Sequence, residues 1–199
     1  LIVNCLPLNE GERRAFAKAA RDVPQEFVGD EAHRGDMVWS AAVPEELRSR
    51  ATAVIGNFPV SQASQYTRLE WLQTFSAGVD AYICPGVLPR GTMVTNASGA
   101  YGQSVSEHMF ATMWALMKNL NRYASNQRDH QWQDEGPVLS PEGGIALIIG
   151  VGDIGSHFAQ LAQSVGMRTF GVRRHADVPA KGIEKMYGFE RLETLLPLA

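Results

Sequence analysis

The sequence has 199 residues, 45% hydrophobic and 20% charged, an ordinary globular composition with room for one large domain or two small ones. A formal net charge of -3 gives no general attraction to nucleic acid or to an anionic membrane surface, so neither is expected as a partner. No apolar run approaches the roughly 20 residues of a bilayer-spanning helix. The cysteines Cys5 and Cys84 lack metal-ligand spacing, so no metal is expected and a reducing cytoplasm fits.

In chain order, Leu1-Ile-Val-Asn-Cys5 lacks the basic start and cleavage site of a signal peptide and reads as a strand. Residues 2–6, ended by Pro7, predict a parallel strand. Asn9 caps a helix in which Ala15, Phe16 and Ala19 recur at helical spacing. Residues 25–28 form a second strand, 44–50 a short helix, and 53–55 a buried strand stopped by Gly56-Asn57. Residues 69–74 and 92–96 continue the alternation. Strands separated by helical stretches predict an α/β fold with a parallel sheet.

Val105, Met109, Met113, Leu116, Met117 and Leu120 recur at spacings of three and four, which makes one apolar helix face. Ser104-Val-Ser-Glu107 reads as a capping box at its start, placing one long helix over about 104–130. A boundary near 99–102 divides the chain into domains 1–101 and 102–199. Residues 134–144, rich in Pro, Gly and Ser, form a loop. A buried strand at 145–151, a helix from 154 to about 165 and a strand at 168–172 complete one βαβ unit. Leu192, Leu195, Leu196 and Leu198 begin a further buried element with no strand to receive it.

The first two segments of that unit flank Gly150-Val-Gly-Asp-Ile-Gly155. A lone GxGxxG is weak evidence, but between a strand and a helix, with another strand soon after, it reads as a dinucleotide-binding turn. Gly150 permits the tight turn, Gly152 lets the backbone approach a pyrophosphate, and Gly155 allows close packing of helix on strand. Asp153 and Ile154 supply amides at the positive end of the helix dipole. At the end of the next strand, where NAD-specific folds place an acidic residue, stands Val172-Arg-Arg-His175. Arg173 and Arg174 suit a 2′-phosphate, so NADP is expected over NAD; the alternative is a solvated basic loop.

Four segments together resemble the D-isomer-specific 2-hydroxyacid dehydrogenases. They are Leu69-Glu-Trp-Leu-Gln-Thr-Phe-Ser-Ala-Gly-Val-Asp80, Val94-Thr-Asn-Ala-Ser-Gly-Ala-Tyr101, Ser104-Val-Ser-Glu-His108 and the glycine turn, in the family's order and spacing. Residues 1–68 fit only by pattern. The resemblance implies two Rossmann-like α/β domains, the first binding substrate and the second, from the long helix onward, binding the cofactor. It implies that Ser76, Ala77, Gly78 and Val79 bind a substrate carboxylate through backbone amides. The physics agrees, because Gly78 leaves those amides open to an anion, although an ordinary turn after a strand reads the same way. It also implies that Tyr101 and Val105 lie beside the nicotinamide, Tyr101 on the substrate side. Glu107 reads as the capping carboxylate and His108 has no visible acidic partner, so neither is assigned to catalysis.

The resemblance further implies an Arg, a Glu and a proton-donating His beyond Ala199, since His33, His108, His130, His157 and His175 match none of them. No catalytic residue is therefore expected in this stretch, and its cofactor domain reads as incomplete. The alternative is a naturally short protein that closes its sheet with a partner. The expected function is reduction of a 2-keto acid to a D-2-hydroxy acid, or the reverse, by a cytoplasmic homodimer. A non-catalytic dinucleotide sensor on the same fold is the alternative. The Ser76–Asp80 segment argues against a different Rossmann oxidoreductase.

Overall fold

Hydrophobic strands too short to stand alone assemble into two parallel sheets, one in each half of the chain. The computed structural model describes residues 1–36 and 38–199 and separates into two compact units, Leu1–Ser98 and Gly99–Ala199. No helix of the described residues is long and apolar enough to cross a membrane.

In the first unit, β1 (Ile2–Asn4), β2 (Gln25–Phe27), β3 (Ala53–Ile55), β4 (Trp71–Gln73) and β5 (Met93–Thr95) lie in the order β2-β1-β3-β4-β5, all parallel. Val3, Val54, Leu72 and Val94 stand in one register row across the sheet, the first three fully buried. Such a row lines one covered face of the sheet. The helices are α1 (Glu10–Ala20), α2 (Glu45–Arg48) and α3 (Asp80–Ile83). Asn9 caps α1 as its residue type dictates, its side chain accepting from the Glu12 amide at 2.9 Å. The Glu12 carboxylate accepts in return from the Asn9 amide at 3.0 Å, closing a capping box.

The second unit contains α4 (Gly102–Met117), α5 (Leu120–Arg128), β6 (Ile145–Ile149), α6 (Asp153–Ser164), β7 (Arg168–Val172), β8 (Lys185–Tyr187) and α7 (Leu192–Leu195). Its sheet runs β6-β7-β8, all parallel. Phe158, Ala159 and Ala162 of α6 pack on Ala146 and Ile148, with Phe110 and Met113 of α4 against them. The opposite face carries Phe170, Val172 and Leu195.

Four expectations are corrected here. The single helix over 104–130 is two helices, because Asn119 adopts the left-handed conformation at φ 53, which Asn tolerates better than most residues. Trp132 therefore lies beyond α5, fully exposed. The capping box at Ser104 does not form: α4 begins at Gly102 after Tyr101, without a side-chain cap, and Glu107 instead accepts from Gln103 at 3.0 Å. The apolar stripe of α4 is only partly its packed face: Val105, Met109 and Leu116 are exposed, while Met113 from the stripe and Phe110 from outside it pack towards α6. Finally, a third strand exists. β8 pairs with β7, and Leu192 and Leu195 pack on the sheet beside it, whereas Leu196 and Leu198 stay exposed.

Candidate dinucleotide and carboxylate sites

The glycine turn leaves β6 through Gly150, whose φ of +94 lies in the left-handed region, and whose amide donates to the Val172 carbonyl at 2.9 Å. Gly155 is needed for a different reason. A Cβ there would sit 2.3 Å from the Gly150 carbonyl oxygen, so only glycine lets α6 approach the turn. Around Gly150 and Gly152 a Cβ would meet nothing within 4 Å, which leaves the space over the turn open. Among the described residues no acceptor takes the Gly152 amide, and the first-turn amides of Asp153 and Ile154 lack intrahelical partners by geometry. An open cradle of amides at the positive end of a twelve-residue helix fits a pyrophosphate.

Asp153 carries a charge that opposes such a ligand, and its placement limits the opposition. Its carboxylate lies against Gly102 at the start of α4, where a Cβ would come within 2.6 Å of both oxygens. His157 Nδ1 stands 3.4 Å from one of them and 2.9 Å from the Asp153 carbonyl.

Beside the turn lies a cleft of about 410 Å³ lined by Gly150, Val151, Gly152, Arg173, Arg174, His175 and Phe189. Both arginines reach it, but in different states. The Arg173 guanidinium donates to three main-chain carbonyls: Val151 at 3.1 Å, His175 at 2.9 Å, and Val178. Its amide donates to the Tyr187 carbonyl at 3.1 Å. Arg174 is exposed, and among the described residues no hydrogen-bond or ion-pair partner meets its side chain. Phe189, 53% exposed, was not identified in the sequence; it arrives from a turn after β8, and no spacing rule links it to the glycines. His175 stood next to the arginine pair and could have been found by adjacency alone.

The loop of Ser76, Ala77, Gly78 and Val79 follows β4 and precedes α3. Its carbonyls are all occupied. That of Ser76 accepts from the Thr74 hydroxyl at 2.9 Å and the Ala97 amide at 3.1 Å, that of Ala77 from Asn96 Nδ2 at 2.7 Å, that of Gly78 from the Ser76 hydroxyl at 2.8 Å, and that of Val79 from the Tyr82 amide at 2.8 Å. Asn57 fixes the loop from beneath: its Nδ2 donates to Ser76 Oγ at 3.1 Å, and its Oδ1 accepts from the Phe75 amide at 3.2 Å. Among the described residues nothing accepts from the amides of Ser76, Ala77, Gly78 or Val79. With acceptors sequestered and donors open, the loop presents a positive potential without a charged side chain. A Cβ at Gly78 would meet nothing within 4 Å, so the approach is clear. Asn57 and Asn96 were not identified from the sequence, because they lie 19 residues from their partners on either side.

Tyr101 and Val105 sit at the start of α4, each 37% exposed. His108 is exposed on the same helix, and among the described residues no carboxylate pairs with it.

Residues 110–199 match the family model described as D-isomer specific 2-hydroxyacid dehydrogenase, NAD binding domain. The D-3-phosphoglycerate dehydrogenase of Bacillus subtilis (strain 168) is 30% identical over 105 residues, 52% of this chain and 20% of that protein. A crystal structure of a D-isomer specific 2-hydroxyacid dehydrogenase family protein from Aeromonas salmonicida subsp. salmonicida A449 superposes with a TM-score of 0.76 at 24% identity, covering 100% of this chain and 61% of that one. A D-lactate dehydrogenase from Aquifex aeolicus, crystallised with NAD and lactic acid, gives 0.72 at 19% identity over 98% of this chain and 57% of that one. The chain spans 45% or less of the length of the curated relatives it matches. These likenesses establish the Rossmann-like fold of the second unit and a nicotinamide cofactor for the family region it carries.

Proposed function

We propose that the chain belongs to the D-isomer-specific 2-hydroxyacid dehydrogenase family, and that the protein interconverts a 2-keto acid and a D-2-hydroxy acid with NADP preferred over NAD. The observation that carries the proposal is the donor-only loop at 76–79, with its carbonyls occupied and its amides open. A glycine turn alone accounts for a dinucleotide; the loop adds a place for a carboxylate.

In this reading the substrate carboxylate takes the amides of Ser76, Ala77, Gly78 and Val79. The cofactor pyrophosphate takes the amides of Gly152, Asp153 and Ile154 where Gly150 and Gly155 shape the turn, and Val105 borders the nicotinamide. Hydride transfer is the chemistry the nicotinamide supplies when bound; the chain's own groups bind and orient. Arg174, exposed in the cleft and without a side-chain partner among the described residues, supports NADP because a 2′-phosphate offers it a charge-assisted partner. The apolar side chains of Met109, Leu116 and Leu120, 40%, 67% and 51% exposed, support a homodimer in which a second copy covers them. We place that dimer in the cytoplasm.

The test is NADPH-dependent reduction of glyoxylate, pyruvate and a bulkier 2-keto acid by the full-length protein, followed at the nicotinamide absorbance. Turnover of at least one, with D stereochemistry wherever the product is chiral, supports the proposal. Tight nucleotide binding without turnover of any would replace it with a dinucleotide sensor.

A further inference from the structure

Arg173 and Arg174 are adjacent, share one cleft and carry the same charge, yet the structure gives them different partners. We infer that Arg173 is a positioning residue that builds the phosphate cradle, and that discrimination for a 2′-phosphate rests on Arg174 alone; the inference rests on the dinucleotide reading above.

Arg173 spends every kind of donor nitrogen it has on main-chain carbonyls. Nη1 donates to the Val151 carbonyl at 3.1 Å, Nε to that of His175 at 2.9 Å, and Nη2 to that of Val178. A planar guanidinium can serve these separate carbonyls at once because its donors point along fixed, divergent directions. The clip therefore joins the glycine turn to the loop after β7. Val151 is 4% exposed, so its carbonyl has little water to fall back on if Arg173 is removed.

The consequence for ligand binding follows from peptide geometry. In a trans peptide the carbonyl of one residue and the amide of the next point in opposite directions. Holding the Val151 carbonyl on Arg173 therefore fixes the direction of the Gly152 amide. That amide has no acceptor among the described residues and lies where a Cβ would meet nothing within 4 Å. Arg173 thus orients a donor to the pyrophosphate, a group that NADH and NADPH share. Arg174, with no side-chain partner among the described residues, is left to meet the one group they do not share.

The two roles separate by substitution. Arg173→Lys keeps the charge and loses the fork, whereas Arg174→Ala loses a charge and leaves the clip. Dissociation constants for NADPH and NADH are measured for the full-length protein and both variants. Arg173→Lys is expected to weaken both nucleotides by a similar factor, about tenfold, as for losing one hydrogen bond to a charged group. The NADPH to NADH affinity ratio then stays at the wild-type value. Arg174→Ala is expected to weaken NADPH by about tenfold or more with NADH unchanged. The inference is overturned if Arg173→Lys keeps full NADPH affinity, or weakens NADPH while sparing NADH. A wild-type protein that binds neither nucleotide overturns the dinucleotide reading itself, a separate outcome. A measurement on the unsubstituted protein guards against misfolding of a variant. The guanidinium protons of Arg173 are expected to be protected from solvent exchange both without nucleotide and with NADPH, and those of Arg174 to become protected only with NADPH. Rapid exchange of Arg173 in the free protein would remove the clip.

Discussion

The Tyr82 hydroxyl accepts a hydrogen bond from the Phe58 amide at 3.1 Å and donates one to the Phe58 carbonyl at 2.5 Å. One side chain thereby satisfies both polar groups of a buried residue that has left β3 and joined no other strand. Burial pushes the phenol above its ordinary value, so the hydroxyl stays protonated and available as a donor. The contact ties α3 to the segment that carries Asn57, and Asn57 in turn holds Ser76.

Tyr82→Phe is expected to strand the Phe58 amide and carbonyl while leaving the volume unchanged. The loss should be about 1–3 kcal/mol, the range for an unsatisfied buried group. Urea denaturation measures it, and an unchanged midpoint would show that water replaces the hydroxyl.

Asn57→Ala removes both bonds beneath the 76–79 loop, to Ser76 Oγ and from the Phe75 amide. The expected result is a rise in KM for the 2-keto acid of roughly five- to tenfold, about one hydrogen bond's worth. The dissociation constant for NADPH should not move, because Asn57 belongs to the other unit. Equal weakening of both ligands would argue for general unfolding instead.

Two glycines give opposite expectations for the same change. Gly155→Ala puts a Cβ 2.3 Å from backbone at Gly150, which cannot be relieved by rotating a side chain. Nucleotide binding should be lost and the thermal midpoint lowered. Gly78→Ala meets nothing within 4 Å, so stability should change by no more than about 0.5 kcal/mol, with any effect confined to keto acid KM.

Glu12 carries a pH dependence of the first unit. The Arg34 guanidinium, at 2.5 and 2.6 Å, and the Asn9 amide hold its carboxyl down at about 2, against an ordinary 4.5. A lowered folded value means the contribution is fully present above 4.5 and is lost as pH falls towards 2. Arg34→Ala should flatten the stability profile in that acid window and leave it unaltered near neutrality in shape. Its Glu12 resonance should titrate closer to 4.5.

Legibility in the sequence followed locality. Residues 168–172 and the glycines of the turn were readable because each rests on a local rule: an apolar run, or a backbone conformation that needs glycine. The Asn9 cap was readable for the same reason. β8 was not, because Lys185, Met186 and Tyr187 make a strand only by pairing with Phe170, Gly171 and Val172. The break at Asn119 escaped an apolar periodicity that runs through it without change. Arg173 and Arg174 were readable as a basic pair at the right strand end. That one of them spends its donors on Val151, His175 and Val178 depends on how two loops meet, which neighbouring letters do not encode.

The most direct test of the central claim is calorimetric titration of the full-length protein with NADPH and with NADH at one salt concentration. The account predicts that both bind and that NADPH binds tighter by about tenfold or more, the worth of one charge-assisted pair with Arg174. Equal or tighter binding of NADH would contradict the NADP assignment. Binding of neither would contradict the reading of Gly150, Gly152 and Gly155 as a dinucleotide turn.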